Sequence, residues 1–281
     1  MKPVVAVIAP GAMGAAVGQR LAGSGLEVRT LLAGRSAASV ARAKAAGLRA
    51  ADEAGIAAAD VILSILPPGD ALGLARQLAP RLAAVQRKPV YVDCNAVSPE
   101  TAVAVAAAIV PSGAAFVDAG IIGGPPTPDG KGPTFYASGA PAAAFTALGE
   151  HGLKIRWLDG PVGAASALKM SYAGITKGLT ALGSVMLLAA TRAGMAEALH
   201  QELSESQPML LAWLARSIPG MYPKAYRWVA EMQEIEAFVG KDPAAAQYFA
   251  AAAELYERLA ADFAGGKLET SALSAFLARK A

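Results

Sequence analysis

Between residues 4 and 160 the chain alternates short, β-branched apolar runs with alanine-rich helical stretches, and this alternation limits its folding more than any other feature. Candidate strands fall at residues 4–8, 26–32, 61–65, 90–93, 115–118, 134–137 and 154–158. Continuously apolar strands must be covered on both faces, and helices between successive strands supply that cover, which implies a parallel sheet. The expected class is α/β, with a doubly wound domain over residues 1–160. Beyond Gly160-Pro161 the strand signals stop. Residues 164–199 read as one long, nearly all-apolar helix that must be buried. Helical segments follow near 209–216, 225–238, 243–263 and 271–279, separated by Pro219-Gly220, residues 240–243 and Gly265-Gly266. Residues 161–281 are therefore read as an all-helical domain for substrate and dimerisation.

Composition removes several classes. Hydrophobic residues are 54% and charged residues 17%, enough apolar surface to exclude disorder of the whole chain. A formal charge of +3 without a Lys/Arg block gives no support to nucleic-acid binding. The mean hydropathy of +0.40 raises the question of a membrane. The longest uncharged stretches are 178–191, with 14 residues, and 101–117, with 17 residues broken by Pro111 and Gly113. Both fall short of the ~20 residues of a spanning helix. Nothing near Met1 resembles a targeting peptide, and a cytoplasmic location is expected. Cys94 is the one cysteine, and the two histidines have no metal-ligand spacing, so no metal is expected.

The first strand runs into Ala9-Pro10-Gly11-Ala12-Met13-Gly14, followed by a helix. At this place in a βαβ unit a dinucleotide pyrophosphate sits on a helix N-terminus, where unpaired N–H groups and the dipole favour anions. Gly11 would allow close approach of the phosphates, and Gly14 close packing of helix on strand. Ala9 replaces the first glycine of the usual pattern, so the turn there must avoid positive φ. The competing reading is a plain strand-to-helix turn; the strand-helix-strand context favours cofactor binding. About 20 residues on, where an acid would hold the ribose of NAD, stand Gly34, Arg35 and Ser36. Arg35 and Ser36 suit a 2′-phosphate, so NADP is expected, with NAD possible.

Further along come Leu66-Pro67-Pro68, Asp93-Cys94-Asn95-Ala96-Val97-Ser98-Pro99, Asp118-Ala119, Gly123-Gly124, and Gly160-Pro161-Val162-Gly163 before Lys169. With the glycine loop, this order resembles the β-hydroxyacid dehydrogenase family, which includes phosphogluconate dehydrogenase and 3-hydroxyisobutyrate dehydrogenase. The stretches 169–174 and 223–228 look like a less characterised branch with a phosphogluconate-dehydrogenase-like helical domain. The resemblance covers essentially the whole chain. It implies a Rossmann domain followed by a helical domain, and a general acid/base at Lys169. A carbonyl reduced by hydride needs a proton on oxygen, which a partly desolvated ammonium can supply; a lysine snorkelling from an apolar helix is the bland alternative. The resemblance also places Asn95 and Leu66-Pro67 beside the cofactor, against the alternatives of an Asx-turn and ordinary loop prolines. Ile122, Gly123 and Gly124 fall at the substrate.

Departures from the family pattern matter. Ile122 stands where a serine usually binds the substrate carboxylate, and Tyr172-Ala173 replace an asparagine pair. Tyr172, one turn after Lys169, is read either as a second catalytic or orienting group or as core packing. Lys224 and Arg227 are nominated to hold an anionic substrate group, with Arg227 and Glu231 spaced as an i,i+4 pair. His200 is read as a dipole partner at a helix C-terminus. The expected protein is an NADP-dependent oxidoreductase, a homodimer, acting on a small hydroxy acid/keto acid or related carbonyl. The alternatives are an imine reductase and a non-catalytic dinucleotide-binding interaction protein.

Overall fold

The computed structural model describes residues 2–279. Eight strands form one sheet: β1 Val4–Ile8, β2 Glu27–Leu31, β3 Arg49–Ala51, β4 Val61–Ser64, β5 Val90–Asp93, β6 Ala115–Ile122, β7 Thr134–Ser138 and β8 Lys154–Trp157. Their order is β3-β2-β1-β4-β5-β6-β7-β8. The first six follow the 3-2-1-4-5-6 order of a doubly wound dinucleotide-binding sheet, which reverses between β1 and β4. The helices α1 Ala12–Gly23, α2 Ala37–Ala45, α3 Glu53–Ala57, α4 Ala71–Ala84 and α5 Pro99–Ile109 connect these strands, and α6 Ala143–Thr146 lies between β7 and β8. Alternate residues of β1 point to opposite faces. Val5 and Val7 join Leu21, Val92 and Val117 in one core, whereas Ala6 and Ile8 join Ile62, Leu78 and Tyr91 in the other. Both faces are covered, as the apolar strands require.

Two parts of this sheet correct the sequence reading. β3 is a short edge strand, held through backbone pairing with Arg29, Thr30 and Leu31; with no apolar run it gave no strand signal. β6 extends to Ile122 and pairs antiparallel with β7, from Asp118↔Ser138 to Ile122↔Thr134. A parallel return needs a crossover of a dozen or more residues, usually helical. Residues 123–133 contain no helix.

The expected helix over 164–199 is two helices, α7 Ala164–Arg192 and α8 Ala196–Ser206. Between them Gly194 has φ +73°. Met195 N donates to Ala190 O at 2.8 Å and Gly194 N to Thr191 O at 3.1 Å, which satisfies carbonyls at the end of α7. His200 consequently lies inside α8, buried and edge-on to Phe276 at 5.6 Å between centroids, not at a helix C-terminus. Nor is α7 buried all round: Ile175 is 72% and Met186 53% exposed. Among the described residues α7 alone has the length and apolar composition of a membrane span. It carries Lys169 and Lys177, so it is longer than the uncharged stretch 178–191 within it.

Helix α9 Pro208–Met221 runs through Pro219-Gly220, expected as a separator. Then come α10 Ala225–Val239, α11 Pro243–Ala264 and α12 Leu268–Leu277. Helix α12 starts before residue 271 because Asp262, on α11, accepts hydrogen bonds from Glu269 N at 3.1 Å and Thr270 N at 2.8 Å. The chain divides into two compact units between Met170 and Ser171, inside α7.

Candidate active site

Gly11 is the N-cap of α1, with φ −69° and ψ −173°, and no side chain caps the first turn, which holds Ala12, Met13 and Gly14. That turn directs backbone N–H groups and the positive end of the dipole at whatever approaches. Space beside Gly11 is open, since a Cβ there would meet nothing within 4 Å. At Gly14 a Cβ would stand 2.0 Å from the Ala9 carbonyl oxygen, so helix and strand meet at a distance only glycine permits. Ala9 itself avoids positive φ. An open, uncapped helix N-terminus fits a dinucleotide pyrophosphate.

At the end of β2, Ser36 caps α2 by accepting Ser39 N at 3.3 Å, with Arg35 half-buried before it. A further cation stands here that sequence reasoning missed. Arg42 donates from Nε to the Pro10 carbonyl at 3.2 Å and from Nη2 to Ser39 Oγ at 2.9 Å, pinning α2 to the glycine loop. The spacing Ser36, Ser39, Arg42, one turn apart on a single face, was the available signal.

Asn95 ties β4 to β5. Its buried amide oxygen accepts Leu66 N at 2.5 Å, while Nδ2 donates to Ser64 Oγ at 2.9 Å and to Asp93. Leu66 is thereby fixed in the core and Pro67 is presented on the surface, both at the carboxyl edge of the sheet, where ligands bind in such folds. The Asn95 side chain faces inward. Burial pushes the Cys94 thiol well up, reinforced by Asp93 and Asp118.

The lysine is positioned from β6. Asp118, 1% exposed, accepts Gly163 N at 2.8 Å, Ser166 N at 3.1 Å and Ser166 Oγ at 2.7 Å. Ser138, its β7 partner, donates to Asp118 at 3.0 Å and accepts Ala165 N at 3.0 Å. The sheet therefore caps α7 with a carboxylate and a hydroxyl, a role that residues in its own sequence usually fill. Two residues on from Asp118, a Cβ on Gly120 would lie 2.9 Å from both Ala165 O and Lys169 Cβ. One turn after Ser166, the half-buried Lys169 donates from Nζ to Ile121 O at 2.9 Å. Its ammonium is thus held beside Ile122-Gly123-Gly124. Gly123, φ +124°, starts the turn out of β6. Sequence reading noted Asp118 and missed its capping role, because the groups it binds lie 45–48 residues away.

Tyr172, one turn beyond Lys169 on α7, is 49% exposed, so it is not packed in a core of the single chain. In the second unit Lys224, Tyr226 and Arg227 are exposed, and the Arg227 guanidinium lies 5.7 Å from the Tyr226 ring. The expected Arg227–Glu231 pair is not formed. Glu231 pairs with Lys177, which also lies 4.8 Å over the Trp228 ring. Lys177 reaches Glu231 from a different helix, which i,i+4 spacing could not reveal.

Residues 4–150 match the NAD binding domain of 6-phosphogluconate dehydrogenase, and residues 190–259 match a domain of unknown function, DUF1932. A conserved protein of unknown function with structural similarity to 3-hydroxyacid dehydrogenases is 30% identical, with TM-score 0.68, covering 91% of this chain and 96% of its own. The 3-hydroxyisobutyrate dehydrogenase of Mycobacterium tuberculosis, with L-serine, is 21% identical at TM-score 0.72, covering 99% and 100%. An imine reductase from Myxococcus stipitatus in complex with NAD+ is 19% identical at TM-score 0.57, covering 99% and 100%.

Proposed function

Because the chain belongs to the family of the 6-phosphogluconate dehydrogenase NAD-binding domain, and is on that ground an NAD(P)-dependent dehydrogenase/reductase, we propose that it interconverts a small hydroxy acid and its keto acid, or a related carbonyl, with Lys169 as general acid/base. The single observation that carries this reading is the Lys169 Nζ contact with Ile121 O at 2.9 Å, which holds an ammonium beside Gly123-Gly124. The hydride for the carbonyl carbon would come from a reduced nicotinamide, which the first turn of α1 at Gly11–Gly14 would hold by its pyrophosphate. Lys169 gives its proton to the carbonyl oxygen as charge builds there, and the neutral amine is reprotonated from water. In the oxidative direction the same amine removes the hydroxyl proton. Ile121 O orients the ammonium, and the capped first turn of α7 fixes the helix that carries it.

NADP is the preferred cofactor in this reading, because Arg35, Ser36 and the Pro10-tethered Arg42 offer cations and a hydroxyl where NAD would need an acid. Residues 1–160 bind the cofactor, and residues 161–281 serve substrate and dimerisation, with Lys224 and Arg227 for an anionic group. Two copies of the chain associate through the exposed apolar stripe of α7. A cytoplasmic setting suits the lone buried thiol. The test is NADPH absorbance against a panel of keto acids, ketones and cyclic imines, run with Lys169→Ala beside the parent.

Ile122 favours a second reading, imine reduction, since an apolar residue in the serine's place removes a carboxylate anchor. In that case cyclic imines turn over while keto acids do not, Lys169→Ala keeps its rate, and Tyr172→Phe loses it.

A further inference from the structure

Residues 125–133, Pro-Pro-Thr-Pro-Asp-Gly-Lys-Gly-Pro, follow Gly123-Gly124 as a loop without regular structure. Its own bonds close the tip: Thr127 N donates to Lys131 O at 2.9 Å and Gly130 N to Thr127 O at 3.0 Å. Arg20 of α1 anchors the loop from outside it. Its Nη2 donates to Thr127 O at 2.9 Å and Lys131 O at 3.0 Å, and its Nη1 to Gly130 O at 3.2 Å and Gly152 O at 3.4 Å. Asp129, the acid of the loop, pairs instead with Lys131 at 3.1 Å. The guanidinium is thus used as a planar fork for backbone carbonyls, a geometry an ammonium cannot reproduce. Glycines make room for it: a Cβ on Gly132 would stand 3.1 Å from Nη1, and one on Gly152 would stand 3.2 Å from Cδ.

Arg20 lies on the helix whose first turn forms the cofactor loop. We propose that Arg20 is a positioning residue that fastens the loop behind Gly123-Gly124 to the cofactor helix, so that a dinucleotide held at Gly11–Gly14 steadies the backbone bordering the substrate. The proposal rests on the reading of Gly123-Gly124 as a substrate border. A mere surface staple would hold the loop equally well with and without cofactor.

The exposed Lys131-Gly132 bond gives a direct readout, since trypsin cleaves there when the loop opens, and nicking follows the open population while reclosing is fast. The experiment measures nicking at Lys131 in the parent, Arg20→Ala, Arg20→Lys and Gly132→Ala, each alone and with saturating NADPH or NADH. Fluorescence titration of both nucleotides and thermal melting accompany each variant. In the parent, the nucleotide should slow nicking several-fold. Without nucleotide, Arg20→Ala should be nicked at least about tenfold faster, the scale expected from losing charge-assisted bonds. It should gain no protection from nucleotide although its nucleotide Kd stays within about twofold of the parent's. Arg20→Lys should fall between the two. If Arg20→Ala does not fold, Arg20→Lys and Gly132→Ala carry the comparison. Parental nicking in Arg20→Ala overturns the proposal, and so does faster nicking with undiminished nucleotide protection. A parent that binds neither nucleotide is a failure of the cofactor assignment, seen in the titration before any protease is added.

Discussion

At the residue scale, the site depends on a few atoms whose removal has calculable consequences. General acid catalysis contributes typically ~10²–10⁴ in rate, so Lys169→Ala should lower kcat by about that factor while NADPH affinity stays near the parent's. A variant with parental kcat would leave Lys169 without a chemical role. Arg35→Ala should weaken NADPH binding by about ten- to a hundredfold and leave NADH nearly unchanged, because it removes a charge-assisted contact that only the 2′-phosphate would make. Fluorescence titration with both nucleotides decides this, and tighter NADH binding by the parent would contradict the NADP assignment. Gly14→Ala places a methyl 2.0 Å from the Ala9 carbonyl. The backbone must move, at a cost of about 1–3 kcal/mol in urea unfolding, with dinucleotide binding lost as well.

At the element scale, α7 is placed by strands distant in sequence. Its N–H groups are taken by Asp118 and Ser138, neighbours across the antiparallel β6–β7 pair. Ser138→Ala removes the acceptor for Ala165 N and one donor to Asp118. A buried backbone N–H left without a partner costs about 1–3 kcal/mol, so chemical denaturation should show a loss of that size. A loss below about 0.5 kcal/mol would mean that water or a shifted helix replaces the hydroxyl. The same element shows why the sequence over-reached. Residues 164–199 are nearly all apolar, but hydropathy does not register a helix stop at Gly194, which adopts a left-handed turn.

At the scale of the whole molecule, the exposed stripe Ile175, Leu182 and Met186 follows i, i+7, i+11 spacing, one face of α7. Contiguous exposed apolar surface on a folded chain marks a contact surface. Sedimentation equilibrium should give a dimer at micromolar concentration, and Ile175→Glu with Met186→Glu should shift it to monomer, since a two-fold interface on this stripe would bury four like charges. A stable monomeric parent would remove the dimer from the functional reading.

What the sequence determined by itself is local or periodic. Apolar runs placed seven of the eight strands, and the glycine loop was legible because Gly11 and Gly14 follow a strand and open a helix. Lys169 was reached through a resemblance whose landmarks stand in order along the chain. What the tertiary structure alone decided depends on groups far apart in sequence. Helix α7 is capped by β6 and β7, Glu231 pairs with Lys177 and not with its i−4 neighbour, and Arg20 bonds to carbonyls 107–132 residues away. Hydrophobic periodicity records which face of an element is covered, whereas hydrogen bonds between loops and helix ends form only after the chain has brought their partners together.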